Sequence, residues 1–376
     1  MTSHTTASSS STVSTNLQAT HPQAVVFYRI PHAQILNRLV QYSTPRTLNS
    51  LQELPLTGGY VVMPFGITES CPLVFIEPDE ITAEPLERPL LTQRTTPLHT
   101  DEVDCRKAYH HSFTAAHRRL TEGNLQKMVL SRRLQVRLQE PHETNYDSLP
   151  LDHLETLIHK GYEYFLRACH YRPNSYVAFW WTPMTGAWLV ATPEPLLERH
   201  RTDWGTVALA GTIPWIDNVA PKWNEKNREE QAIVRRFITH QLEDITVDLR
   251  ISDTYSLHTG NIQHLCTDFS FGLQHENDIR KILMRLHPTP AVCGLPREEA
   301  RQAIEHDEVS PRCYYAGFSG PLHLKGETHL YVSLRCMEFN TYTATLYAGG
   351  GLMPESQETD EWEETRRKMQ TMWQLL

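Results

Sequence analysis

Residues 346–368 read "LYAGGGLMPESQETDEWEETRRK", and the stretch joins two kinds of local order. Its first part belongs to "YTATLYAGG", 342–350, whose alternating β-branched and aromatic residues suit a strand. Its second part opens the run 360–376, "DEWEETRRKMQTMWQLL", whose apolar residues recur at helical spacing. On that helix Glu361, Glu364 and Lys368 share one face, at spacings of three and seven. Trp362, Met369 and Trp373 form an apolar stripe about 100° round from them. The carboxylates therefore border the buried side. Two readings stand at this point: acids in a first turn complement the helix dipole, or they hold a cation.

Working outward, strand-like segments dominate: "KMVLSRRLQV", "SYVAFWW", "AWLVAT", "TVALAGT" and "LYVSLRCMEF". Helical periodicity returns in "LDHLETLIHKGYEYFLRACH" and "NEKNREEQAIVRRFITHQLEDI". Strands do not alternate strictly with helices, which argues against a doubly wound parallel sheet. An α+β fold with large, mainly antiparallel sheets and helices outside fits the pattern. In the second helix Glu230 points between Val234 and Phe237, with Ile233 nearby. A carboxylate in an apolar stripe is costly unless it is paired or bound to a cation. Lys226, one turn earlier, could be that partner. Alternatively, two acidic helices offer the hard oxygen ligands that Mg²⁺ takes.

The chain has 376 residues, 40% of them hydrophobic, enough for a large core in one sheet-rich domain. A net charge of −9 and the lack of a basic run interleaved with aromatics exclude nucleic-acid binding as the expectation. The seven cysteines are scattered, odd in number and never in a CxxC, which suits reduced thiols in a cytoplasm. Twenty histidines include no zinc-type spacing. No apolar run is long enough to span a membrane. The opening "MTSHTTASSSSTVSTNLQAT" lacks the basic and apolar regions of a signal peptide. Residues 1–22 are expected to be a disordered tail.

Several motifs follow in order: "KMVLSRR", "LVATPEPLLER", "ALAGT", "KNREEQAIV", "LHPTPAVCGLPREEA", "RCYYAGFSG", "VSLRCMEF" and the stretch quoted first. In this series the chain resembles the chorismate-binding enzymes: isochorismate, anthranilate, aminodeoxychorismate and salicylate synthases. The resemblance runs from about residue 105 to the C-terminus. Residues 23–104 match less clearly and are expected to complete the same fold.

That resemblance implies one catalytic domain over 23–376, two large antiparallel sheets stacked as a sandwich with helices outside, and a cleft between them. It places direct Mg²⁺ ligands on Glu230 and Glu364, with Glu361 acting through water. Asn227 stands where some relatives have a further acid. Substrate contacts fall on Tyr315, Arg335 and Lys368, on backbone near Gly349, and on Gly211, Thr212 and His287. Gly350 replaces a usual alanine. Arg335 would lie on the strand face carrying Tyr331, Met337 and Phe339, where a guanidinium suits a planar carboxylate.

Family members differ in what attacks the ring. Relatives making aminodeoxychorismate carry a nucleophilic lysine where this chain has Ala210. Those making anthranilate have a glutamine where it has Lys127. Lys127 with a small Ala210 resembles the water-using branch, in which the lysine activates water at C2 and a glutamate, here Glu194, protonates the hydroxyl leaving C4. Without the motif, Lys127 would read as part of a solvated strand face and Glu194 as a plain loop acid. The implied activity is isochorismate synthesis for menaquinone. Siderophore supply, salicylate synthesis and a silent chorismate-binding protein are the alternatives. The expected protein is a cytoplasmic monomer or weak dimer.

Overall fold

The computed structural model describes residues 21–88, 99–138, 151–200, 203–259 and 262–376. The expected tail over 1–22 lies outside these residues, apart from its last two positions. Six α-helices occur among the described residues: α1 (Glu102–Thr121), α2 (Leu151–Tyr171), α3 (Glu225–Leu242), α4 (Asp278–Leu286), α5 (Arg297–Asp307) and α6 (Glu358–Trp373).

Among the described residues the strands form two ten-stranded antiparallel sheets. At the centre of the first, Lys127–Arg137 pairs with Thr343–Leu352, which pairs with Cys336–Phe339, then Gly186–Thr192 and Tyr176–Thr182. At the centre of the second, Ile262–Leu273 pairs with Asp203–Pro214, which pairs with Pro195–His200, then His329–Val332 and Phe318–Leu322. The weakly matched N-terminal part supplies strands to both: Ala24–Arg29 and Ile35–Gln41 to the first, Gly59–Met63 and Leu73–Ile76 to the second. Both sheets thus draw on the N-terminal part.

Alternation along the strands builds the layers, because successive side chains point to opposite faces. Val26, Trp180, Trp188 and Val190 of the first sheet share a core with Val61, Phe75, Leu197 and Leu330 of the second. Val25, Phe27, Phe179, Leu189 and Met337 lie on the other face, packed with Leu157 and Phe165 of α2 and Met369 and Met372 of α6. Each fully buried large side chain contributes roughly 1.5–3 kcal/mol. α3 and α4 cover the second sheet's side, where Val234, Ile238, Ile282 and Leu286 join the shared core.

The segment "LYVSLRCMEF" is not the single strand its pattern predicts. It divides into His329–Val332 in the second sheet and Cys336–Phe339 in the first. The chain likewise leaves the first sheet at Thr192 and joins the second at Pro195. These two crossings run side by side: Val332 N donates to Glu194 O at 3.0 Å, and Ala191 N to Arg335 O at 3.0 Å. Alternation cannot reveal a crossing, since apolar residues continue on both sides of it.

α2 lies close against the first sheet at Gly161, where an added Cβ would collide with the ring of fully buried Phe179. Gly161→Val is therefore expected to destabilise the chain by about 1–3 kcal/mol through overpacking. A thermal melt of the variant with an unchanged midpoint would contradict this packing.

Candidate active site

One cavity lies where the crossings meet α3 and α6. Glu194, Ala210, Gly211, Thr212, Glu230, His264, Tyr315, Arg335, Gly349 and Lys368 are among its lining residues. The structure thus gathers Glu194, Gly211, Thr212, Glu230, Tyr315, Arg335, Gly349 and Lys368 around one cavity, with Lys127 directly behind Glu230. Glu361 and Glu364 stand just behind the lining, on α6.

Glycines 349–351 form a bare length of the Thr343–Leu352 strand, and each has a neighbour that a side chain would displace. A Cβ on Gly349 would stand 2.6 Å from the Tyr315 hydroxyl, and one on Gly350 would stand 2.9 Å from Glu361 Oε2. On Gly351 it would collide with Glu230 Oε1. The carboxylates of α3 and α6 therefore converge on one strip of backbone.

α6 is held in place at Trp362. The Tyr109 ring meets Trp362 edge-on at 5.4 Å, and the Arg132 guanidinium covers the Trp362 ring at 3.7 Å. Arg132 Nε also donates to Thr365 Oγ1 at 2.8 Å. α3 starts at Asn224, whose side chain accepts from Asn227 N at 2.9 Å. Asn227 packs against Gly211, where a bulge and a φ of +72° shape the strand.

Each acid has a lysine. Lys127, fully buried, places Nζ 3.2 Å from Glu230 Oε1 without a well-aligned hydrogen bond. Lys368 Nζ donates to Glu364 Oε1 at 2.7 Å and to Gly349 O at 2.8 Å. Lys226 Nζ donates to Glu361 Oε1 at 2.5 Å. Lys226 is thus the partner of Glu361, and Glu230 takes Lys127 in its place. Burial and the neighbouring Glu364 push Glu361 up to about 7. Burial works the same way on Glu364, but Lys368, Lys226 and Arg367 together outweigh it and hold that carboxyl below its ordinary value. Burial also raises Glu194 to about 7, against the pull of Lys127, Arg335 and Lys368.

Arg335 is not on a strand face. It sits at the crossing between sheets, with a φ of +48°, a left-handed conformation rare for a side-chain-bearing residue. Its Nη2 donates to His264 Nε2 at 3.1 Å. Because arginine has no acceptor, His264 must accept at Nε2 and carry its proton on Nδ1. Nδ1–H then faces Gly211 O at 3.0 Å and Thr212 Oγ1 at 3.2 Å. Burial, together with Arg335 and Lys368, holds the His264 imidazole well below its ordinary value. It stays neutral and links the bulge to the arginine.

His264 corrects the expectation for His287. The His287 ring does not line this cavity: its Nε2 meets Pro64 O at 3.2 Å and its edge meets Phe318. It ties a loop down. With 20 histidines in the chain, nothing local distinguished "IQHLC" from "LHPTP".

No three described His, Cys, Asp or Glu side chains already adopt a coordinating arrangement. The donor set nonetheless fits a hard divalent cation. Glu230, Glu361 and Glu364 offer carboxylate oxygens, and Glu361 Oε2 is buried without a hydrogen-bond partner.

A family profile described as "chorismate binding enzyme" matches residues 77–376. The chain belongs to the chorismate-binding enzymes. It is 30% identical over 264 residues to isochorismate synthase DhbC of Bacillus subtilis, covering 68% of this chain and 64% of that protein. It is 30% identical over 267 residues to isochorismate synthase MenF of Escherichia coli, covering 68% of this chain and 57% of that protein. The matched stretch thus spans less than two thirds of either relative. The solved structure of the menaquinone-specific isochorismate synthase MenF from Escherichia coli superposes with a TM-score of 0.75 at 21% identity. It covers 96% of this chain and 90% of its own. At that identity it shows the fold alone.

Glu194 makes stability depend on pH. Its folded value of about 7 exceeds the ordinary 4.5, so the folded chain keeps a proton that the unfolded chain releases. That stability is present in full below about pH 4.5 and is lost as pH rises through about 7. Glu194→Gln has no such proton to lose. In thermal melts without ligands, its advantage over wild type is expected to grow across this window by about 3 kcal/mol. A gap independent of pH would contradict the buried-acid assignment.

Proposed function

We propose that this chain is a magnesium-dependent isochorismate synthase, adding water at C2 of chorismate and expelling the C4 hydroxyl. The observation that carries the reading is a buried Glu194 in the cavity and a buried Lys127 beside it, against the lining residue Glu230, with a wall at Ala210 that offers no nucleophile. Lys127 takes the proton from water, and Glu194, held protonated by burial, delivers its proton to the departing hydroxyl. Arg335, oriented by neutral His264, and Lys368 receive the substrate's carboxylates, with Tyr315 and the bare backbone at Gly349 beside them. Glu230 and Glu364 would hold the metal directly and Glu361 through water. Bound Mg²⁺ would neutralise carboxylate charge on the ring.

In this reading the purified protein with chorismate and Mg²⁺ accumulates isochorismate. In heavy-oxygen water the label appears at the C2 hydroxyl. Chromatography showing salicylate as the main product would reassign the chain within the family.

Lys127→Gln and Glu194→Gln are expected to retain chorismate binding and to lose about a hundred- to ten-thousand-fold in kcat. Variants within about twofold of wild type would show the roles to be misassigned. Glu230→Ala and Glu364→Ala should abolish turnover in folded protein, and full activity of either in EDTA would refute the metal assignment. Menaquinone supply is the proposed pathway, and unchanged quinone content after deletion in the source organism would refute it. No described helix is long and apolar enough to cross a membrane.

A further inference from the structure

Of the three lysines paired with the acid cluster, Lys368 lines the cavity, Lys127 stands behind it against the lining residue Glu230, and Lys226 lies farther out, on Glu361. Lys226 reaches Glu361 from α3, one turn before Glu230. It occupies Oε1 at 2.5 Å, and Ser356 Oγ donates to the same oxygen at 2.8 Å. Ser356 is itself fixed, accepting from Met353 N at 3.0 Å in the turn before α6. Oε1 is thus taken twice, while Oε2 is buried and has no partner. Oε2 lies 2.9 Å from the point a Gly350 Cβ would occupy, and Glu364 Oε1 lies 3.6 Å from that same point. The unpartnered oxygen therefore faces the strip of backbone where the other acid converges.

We propose that Lys226 and Ser356 are positioning residues for the cation site. They clamp Oε1 of Glu361 so that Oε2 alone is presented to the cation's water shell. The inference rests on the reading of Glu230, Glu361 and Glu364 as the metal cluster. Mg²⁺ demands near-octahedral geometry and keeps several waters, so a carboxylate that can rotate between two open oxygens is a poor outer ligand. Partners that orient such groups typically set metal affinity by 10–100-fold when removed. Two simpler roles predict otherwise. A merely structural ion pair would change stability and leave affinity alone. A lysine acting only as a repelling charge would, once removed, tighten cation binding.

Calorimetric titration of Mg²⁺ into the full chain, without chorismate, separates these cases. Lys226→Met and Ser356→Ala are expected to weaken Mg²⁺ binding by about 10–100-fold, while Lys226→Arg recovers most of the loss. Thermal melts confirm that each variant is folded, and Ser356→Ala carries the test without any change of charge. Affinity unchanged or tightened in both Lys226→Met and Ser356→Ala overturns the clamp alone. Wild type that takes up no Mg²⁺ overturns the metal reading and the clamp with it.

Discussion

The hydrogen bonds between the two sheet crossings, Val332 N to Glu194 O and Ala191 N to Arg335 O, join the places where the chain passes between layers. A sandwich normally keeps its two sheets apart, with side chains meeting in a dry core. Here two neighbouring segments break out of one sheet together and enter the other together. Each leaves one charged residue, Glu194 or Arg335, at the point of passage. The shared backbone bonds fix these two relative to each other, and α3 and α6 then deliver acids and lysines around them. The fold positions the chemistry through backbone geometry first and side-chain packing second.

Burying this many charges is expensive. Removing one ion from water costs several kcal/mol even after relaxation, and a pair repays that only with good geometry. The three lysine–carboxylate contacts differ in this respect. Lys226 and Lys368 make short hydrogen bonds, whereas Lys127 stands near Glu230 without one. A packed apolar cluster would fold more easily at this position. Retaining a partly satisfied polar one is understandable only if charge there is used.

Much of this was legible in the sequence because the informative residues lie on regular elements. The helix at 360–376 showed its acids bordering an apolar stripe, and the motif order identified the family and most of the cleft. What stayed hidden depended on tertiary placement. "LYVSLRCMEF" alternates smoothly across a crossing, so Arg335 was read onto a strand face it does not occupy. Lys226 and Glu230, one turn apart, looked like natural partners until α6 brought Glu361 nearer to the lysine. His264 and His287 are both buried, and only the strand bulge at Gly211 distinguishes the one that reaches the cleft.

The glycine run at 349–351 leaves one wall of the cleft written in peptide units alone. Such a wall presents the same amide and carbonyl groups whatever the surrounding sequence, so it can recognise what is common to a set of ligands and cannot discriminate among them. Discrimination must then come from the side chains around it, among them Ala210 and Thr212 on the Asp203–Pro214 strand and Lys127 on the Lys127–Arg137 strand. In this architecture a few side chains on two strands can alter what the cavity accepts, while the peptide wall stays the same.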